Sequence, residues 1–348
     1  MFEDILANIS SHEEEGILLP KATRERVQQL DADGSCYAMA KPEIGFKQNA
    51  DRMFNYINGL RGKADCKFTN LHTTMHLKGG RDEVAQYQPY QGKRQNGAEE
   101  YKNRVRELRF ALSKFEASWL TPCPQYFIEA DDSMTIYQRQ MIEQTGDLFS
   151  SVISTNDKDL NSSYGVVQNI NTGLFSVVGK YTPEDGWTDY YGKTTYDADK
   201  KKLVGRGTSF FWHQMLAGDP VDYIKGCPLI VPEILNICDP IKKPHGRQAK
   251  TVAYGSVCKF LVGITTDVAA ARRVRMIFNA YSAVYGNPEL FEETAILLWM
   301  QRNPNPYDVY EYLNGVCGLN IMPHPRIMER VQKYAVDMAE ARAKWLNV

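Results

Sequence analysis

The chain has 348 residues, 43% hydrophobic and 11% aromatic, which excludes a disordered polymer and suits one large domain or two. Its net charge of −1 does not by itself advertise nucleic acid. No apolar run is long enough to cross a bilayer, the start (Glu13, Glu14, Glu15) is acidic where a signal peptide is basic, and seven cysteines include no CxxC pair. The expectation is a cytoplasmic protein with reduced thiols and no membrane partner.

Taken in chain order, residues 1–30 read as a leader helix broken by Pro20, then an element leading into DADGSCYAMA. An acid followed by glycine at a strand end, then a helix with Cys36, Tyr37 and Ala40, is a first strand-to-helix turn. On a strand Asp31 and Asp33 face one side and Ala32 the other, so either carboxylate can reach a cation. Asp33 is favoured because it directly precedes Gly34. Residues 66–77 read as another strand region, where His72 and His76 lack a third ligand at zinc spacing and are expected to pack or lie at the surface.

The next stretch is loop-like, then helical. Arg81, Lys93, Arg94, Lys102, Arg104 and Arg109 alternate with Tyr87, Tyr90 and Tyr101, which suits a single strand, charges on phosphates and rings on bases. Glu99, Glu100 and Glu107 equally suit a solvated helix of mixed charge.

The chain is organised around residues 126–160. Tyr126, Phe127 and Ile128 read as a short strand, and Ala130, Met134, Tyr137 and Met141 recur at helical spacing. Glu129, Asp131 and Asp132 therefore sit at a strand end or in a first helical turn, where the helix dipole favours carboxylates. Phe149, Val152 and Ile153 read as a strand, and Asp157, Lys158 and Asp159 leave its C-terminal end. In an open α/β sheet ligands bind at such ends. Carboxylates gathered in one crevice repel unless water or a cation neutralises them. Oxygen ligands suit Mg²⁺ or Mn²⁺, and two such ions serve phosphodiester hydrolysis. The plainer alternative is two exposed turns.

Residues 161–207 read as short strands and turns. Phe210 to Leu216 form a helix that ends near Gly218, with His213 packed or capping. Asp219 and Asp222 follow in a tight loop that closes at Gly226. Between 242 and 275 lie Lys242, Lys243, Arg247, Lys250, Lys259, Arg272, Arg273 and Arg275 against Asp267 alone. An acidic centre with a basic flank is the layout of a nuclease that clamps phosphates beside a metal site. The tail, 325–348, reads as an amphipathic helix.

DADGSCY, PYQGKR, IEADD with STNDKDL, and GDPVDYIKG stand in one order. Together they resemble the 5′-nuclease (flap endonuclease-like, PIN-like) superfamily, most of all the phage-encoded 5′→3′ exonucleases, over roughly residues 27–265. The resemblance implies an α/β PIN-like catalytic domain over 1–205. That domain has a central, mostly parallel sheet and a helical arch or clamp at about 90–118. A helix-three-turn-helix region and C-terminal helices follow over 206–348.

The same resemblance implies Asp33, Glu129, Asp131, Asp132, Asp157, Asp159 and Asp219 as ligands of two Mg²⁺ or Mn²⁺ ions, with Asp222 the last acid of the group. Arg94 matches the arginine that steadies the scissile phosphate, with Lys93 beside it. DNA contacts are expected from Arg81, Tyr90, Lys102, Arg104, Lys225, Lys242, Lys243, Arg247 and Lys250, and a K⁺ ion at the helix-three-turn-helix. The implied partners are DNA (5′ ends, flaps, nicked or duplex) and a replication or single-strand-binding protein. The implied setting is phage DNA replication, repair or recombination in the host cytoplasm.

This sequence departs from the pattern in three places. Gln91 stands where the family has lysine, with Lys93 two residues on as a substitute. MHLKGGR lacks the family's strand aspartate, and Pro228 with an insertion to about Gly255 interrupts its glycine-rich hairpin. Two other readings therefore accompany the first: a non-catalytic, structure-specific DNA-binding protein, and a PIN-type ribonuclease, although the latter are usually shorter and lack GDxxDxIxG.

Overall fold

The computed structural model describes residues 19, 25–92, 98–188, 190–227, 254–305 and 307–345. The leader before Pro20 and the candidate residues Lys93, Arg94, Lys242, Lys243, Arg247 and Lys250 lie outside the described residues. Two compact units emerge, Met1–Leu77 with Gly97–Tyr190, and Lys78–Asn96 with Tyr191–Val348.

The first unit is built on a six-stranded sheet. In chain order its elements are β1 (Val27–Asp31), α1 (Ala32–Met39), α2 (Phe46–Lys63), β2 (Phe68–Thr74), α3 (Glu99–Leu112), β3 (Leu120–Gln125), α4 (Ala130–Thr145), β4 (Ser151–Thr155), β5 (Gly165–Asn169) and β6 (Phe175–Val178). The strand order is β3-β2-β1-β4-β5-β6, all neighbours parallel except β5 and β6. β1 is thus the strand from which the chain winds first one way, to β2 and β3, and then the other, to β4 and β5. A hairpin of β7 (Lys180–Thr182) and β8 (Gly186–Thr188) completes the unit.

Side-chain spacing explains the helices. Met53, Ile57 and Leu60 of α2 fall on one face and are buried with Val105, Leu108 and Leu112 of α3 in the core that also takes Leu30 and Leu71. α3 falls within the stretch expected to form an arch. β3 differs from expectation: the strand is Leu120–Gln125, and Tyr126 to Ile128 follow it. Pro122 and Pro124 disguise it in the sequence, and they are tolerated because β3 lies at the sheet edge, where one row of backbone groups needs no strand partner.

The centre of the sheet is polar where a parallel sheet is ordinarily a hydrophobic run. Gln28 and Gln29 of β1 are both fully buried. Gln28 donates to Ser154 Oγ at 2.8 Å and accepts from Thr69 Oγ1 at 2.9 Å. Gln29 donates to Ser151 Oγ at 3.1 Å and accepts from Asn70 at 3.1 Å. These partners remove the cost of burying amides.

The second unit contains the hairpin β9 (Lys193–Asp197) and β10 (Lys202–Arg206), then α5 (Thr208–Ala217), α6 (Tyr254–Phe260), α7 (Asp267–Tyr285), α8 (Leu290–Leu298) and α9 (Pro325–Trp345). α5 is buried along its whole length, and its apolar residues Phe210, Phe211, Trp212, Met215, Leu216 and Ala217 lie in the core of this unit. Leu203 of the hairpin lies in the same core as α5. The segment 78–96 joins them too: Arg81 donates to the Trp299 carbonyl at 2.7 Å, and the amides of Gln86 and Tyr87 donate to Glu293 at 2.9 and 2.8 Å. Among the described residues no helix is long and apolar enough to cross a membrane.

Candidate metal centre

Asp31 is the last residue of β1, and Asp157 follows the end of β4 by two residues. These neighbouring parallel strands flank the point where the winding reverses, the place where open sheets leave a crevice for ligands. α4 enters the same region with its first turn, which carries Asp131 and Asp132. The carboxylates feel one another there. Burial, and then the charges of Asp33 and Asp157, push Asp31 up to about 7, although the Gly34 amide donates to it at 3.1 Å. Burial, followed by Asp31, Asp157, Glu129 and Asp132, pushes Asp131 well above the usual carboxylate range. Asp31, Asp131 and Asp157 are therefore one mutually repelling group.

The other acids of the first unit have different surroundings. Asp132 is fully buried, and Glu129 occupies the N-cap position of α4 without capping it through its side chain. Asp157 accepts the Asp159 amide at 2.9 Å, which shapes the turn, and Asp159 pairs with Lys158 at 3.1 Å. Asp33 faces Arg109, whose Nε lies 2.8 Å from its carboxylate, and accepts the Thr74 amide at 3.2 Å. The guanidinium also rests over the Tyr37 ring at 5.3 Å.

The first two acids have different surroundings. The strand ends at Asp31 and helix begins at Ala32, so the alternation that puts residues 31 and 33 on one side stops there. Both acids repel each other, and Asp33 in addition faces the Arg109 guanidinium. Sequence reasoning placed Asp31 second to Asp33 and read Arg109 only as one of a basic run. The signal available for Asp31 was its N-cap position, since Asp before a short helix is a common cap.

All donors in the group are carboxylate oxygens, without sulfur or imidazole, the chemistry of a hard divalent cation. A cation lowers the repulsion that the carboxylates otherwise impose on each other. Asp31, Asp131 and Asp157 share that repulsion, with Glu129 and Asp132 on the same helix start.

Beneath the group, His72 is fully buried, 2.8 Å from Ser133 Oγ and 2.9 Å from Gln29 Oε1. A packing role was the expected one. Burial pushes it down to about 3, so it stays neutral. The unfolded chain then binds the extra proton between about pH 6.5 and pH 3, and stability falls as pH drops through that window. The expected loss between pH 7 and pH 4 is about 3 kcal/mol from this residue. Denaturant titrations at the two pH values should show a smaller acid loss in His72→Asn than in wild type.

In the second unit, Asp219 accepts the Val221 amide at 2.8 Å and its backbone pairs with Ile224, closing the expected loop. The Asp222 carbonyl accepts the amide of Gln91, which has φ +52°. Two expected DNA contacts are corrected: Arg81 and Tyr90 are 2% and 8% exposed, committed to the core of this unit by the carbonyl of Trp299 and by apolar neighbours. Lys225 lies over the Tyr87 ring at 5.2 Å. Of the expected basic patch, Arg273 and Arg275 donate to the carbonyls of Phe260 and Leu319. In the first unit, Arg104 binds the Ile44 carbonyl and Glu107, and Lys102 is half-buried on α3.

No protein-family model and no curated protein matches the chain. Among solved structures it is similar to the T5 5′-exonuclease with bound divalent metal ions (zinc), at TM-score 0.50 and 13% identity, over 90% of this chain and 98% of that one. A bacteriophage T5 flap endonuclease in a pseudo-enzyme–product complex with DNA and metal ions matches at TM-score 0.47 and 14% identity, over 91% and 99%. At such identity the likeness speaks for architecture. The chain has the mixed α/β, PIN-like fold of the T5 5′-exonuclease, with a central and mostly parallel six-stranded sheet.

Proposed function

We propose that the chain is a metal-dependent nuclease that hydrolyses DNA from 5′ ends or flaps. The observation that carries the reading is the convergence of carboxylates at the β1/β4 reversal point, where the charge of Asp157 acts on both Asp31 and Asp131 and burial raises both of them. A folded protein has little reason to retain such a cluster unless a cation relieves it.

When bound, a pair of Mg²⁺ or Mn²⁺ ions supplies an activated water and stabilises the leaving oxygen. The chain's own contribution is placement and charge. Asp31, Asp131 and Asp157 hold the cations, and Glu129, Asp132 and Asp159 support them from the same two segments. Asp219 and Asp222 complete the acid set by resemblance. Arg94 and Lys93, by the same resemblance, neutralise the scissile phosphate as negative charge builds. Arg109, oriented by Asp33 and Tyr37, adds a cation close to the acids.

The finer reading is 5′→3′ polarity, duplex backbone held by the turn between α6 and α7 with a K⁺ ion, and service in phage replication, repair or recombination beside a replication or single-strand-binding protein.

A time course on blunt, nicked and 5′-flap DNA, labelled at either end, tests polarity and substrate, with RNA of equal length alongside. Short products released from the 5′ end of DNA are expected. Preferential cutting of RNA favours the ribonuclease reading, and flap binding without cleavage in either metal favours the non-catalytic one, for which Gln91 in place of lysine is the supporting feature.

A further inference from the structure

β2 ends between two acid-bearing segments. Its last residue, Thr74, donates its backbone N–H to the Asp33 carboxylate at 3.2 and 3.3 Å. Its hydroxyl oxygen accepts the N–H of Ala130 at 2.9 Å. Thr74 thus serves both neighbours at once, Asp33 through its backbone N–H and Ala130 through its hydroxyl oxygen. Ala130 is the first residue of α4, and a helix start leaves its N–H groups without intrahelical partners. The expected supplier is the N-cap side chain, but Glu129 makes no capping bond. A strand residue 56 positions earlier caps the helix instead. On its other side Asp33 is held by Arg109 at 2.8 Å. A continuous polar chain thus runs from α3 through Asp33 and Thr74 to the first turn of α4, and the residue after Ala130 is Asp131.

We propose that Thr74 is a positioning residue that ties the acid-bearing first turn of α4 to the Asp33–Arg109 pair and so sets where Asp131 stands relative to Asp31 and Asp157. Its consequence for cation binding rests on the metal-centre reading above; the tie itself does not.

The test uses the full chain without DNA, as wild type, Thr74→Val and Thr74→Ser. Amide hydrogen exchange is read at Ala130 and at the β1 and β4 core, and Mn²⁺ affinity by calorimetry. Valine keeps the shape and removes the hydroxyl; serine restores it. Thr74→Val is expected to exchange at Ala130 about tenfold faster, with core amides unchanged, and to bind Mn²⁺ about tenfold more weakly, the loss usual for a support behind a metal ligand. Thr74→Ser should stay near wild type in both. Unchanged Ala130 exchange in Thr74→Val overturns the proposal, as does faster exchange with unaltered Mn²⁺ affinity. Wild type that binds no Mn²⁺ overturns the metal-centre reading, and the Ala130 exchange then decides on the tie alone.

Discussion

Asp131→Asn is expected to lower DNA cleavage by about 10³-fold while making the cation-free protein more stable. The two effects have one cause. Asp131 is crowded by Asp31 and Asp157, with Glu129 and Asp132 on its own segment, and burial adds to the cost of its charge. An amide of the same shape removes that cost. A group whose folded pKa is raised penalises the folded state at neutral pH, so its removal should raise the Tm in the absence of divalent ions. Adding Mg²⁺ or Mn²⁺ should raise the Tm of wild type and move the variant little, because a ligand stabilises only the state that binds it. Thermal melts with and without the ion, beside the cleavage assay, check all three statements. A purely structural acid would give the opposite sign for stability.

Gly226→Ala is expected to cost about 3 kcal/mol or more. Gly226 has φ +48°, and a Cβ there would lie 2.3 Å from the Gly218 nitrogen and 2.8 Å from the Ala217 carbonyl carbon. Gly218 is the reciprocal case, with φ +74° and a Cβ position 2.3 Å from the Ile224 carbonyl oxygen. The obstacles are backbone atoms, which cannot rotate away as a side chain can. Asp219 and Asp222 lie in the loop between these glycines, so the same change should disturb them. Denaturant midpoints of Gly226→Ala and of the neighbouring Lys225→Ala measure the effect; the second should change stability by less than about 1 kcal/mol because Lys225 is partly exposed.

Much of this was legible because local chemistry and global packing agree there. The helical period from Ala130 gives α4 to within a residue, and Val152 and Ile153 give β4. The glycines around Asp219 and Asp222 mark a closed loop for the reason just described. Other parts were hidden by tertiary context. Gln28 and Gln29 look like surface residues, yet lie at the centre of the sheet, because Ser151, Ser154 and Thr69 supply partners from other elements. Arg81 and Tyr90 look like nucleic-acid contacts, and a carbonyl 218 residues away decides otherwise for Arg81. The choice between Asp31 and Asp33 turned on a single boundary, where strand gives way to helix, and boundaries are what side-chain patterns define least well. Thr74 carries no sequence signal at all, because its two partners come from separate segments of the chain.

The most direct test of the metal-centre account is 5′-flap cleavage in Mg²⁺ by wild type and Asp31→Asn, with EDTA as the control and Asp33→Asn beside them. The account predicts release of short 5′-labelled products by wild type, none in EDTA, and a loss of at least about 100-fold in Asp31→Asn that exceeds the loss in Asp33→Asn. An intact flap in both Mg²⁺ and Mn²⁺, or undiminished cutting by Asp31→Asn, would contradict it.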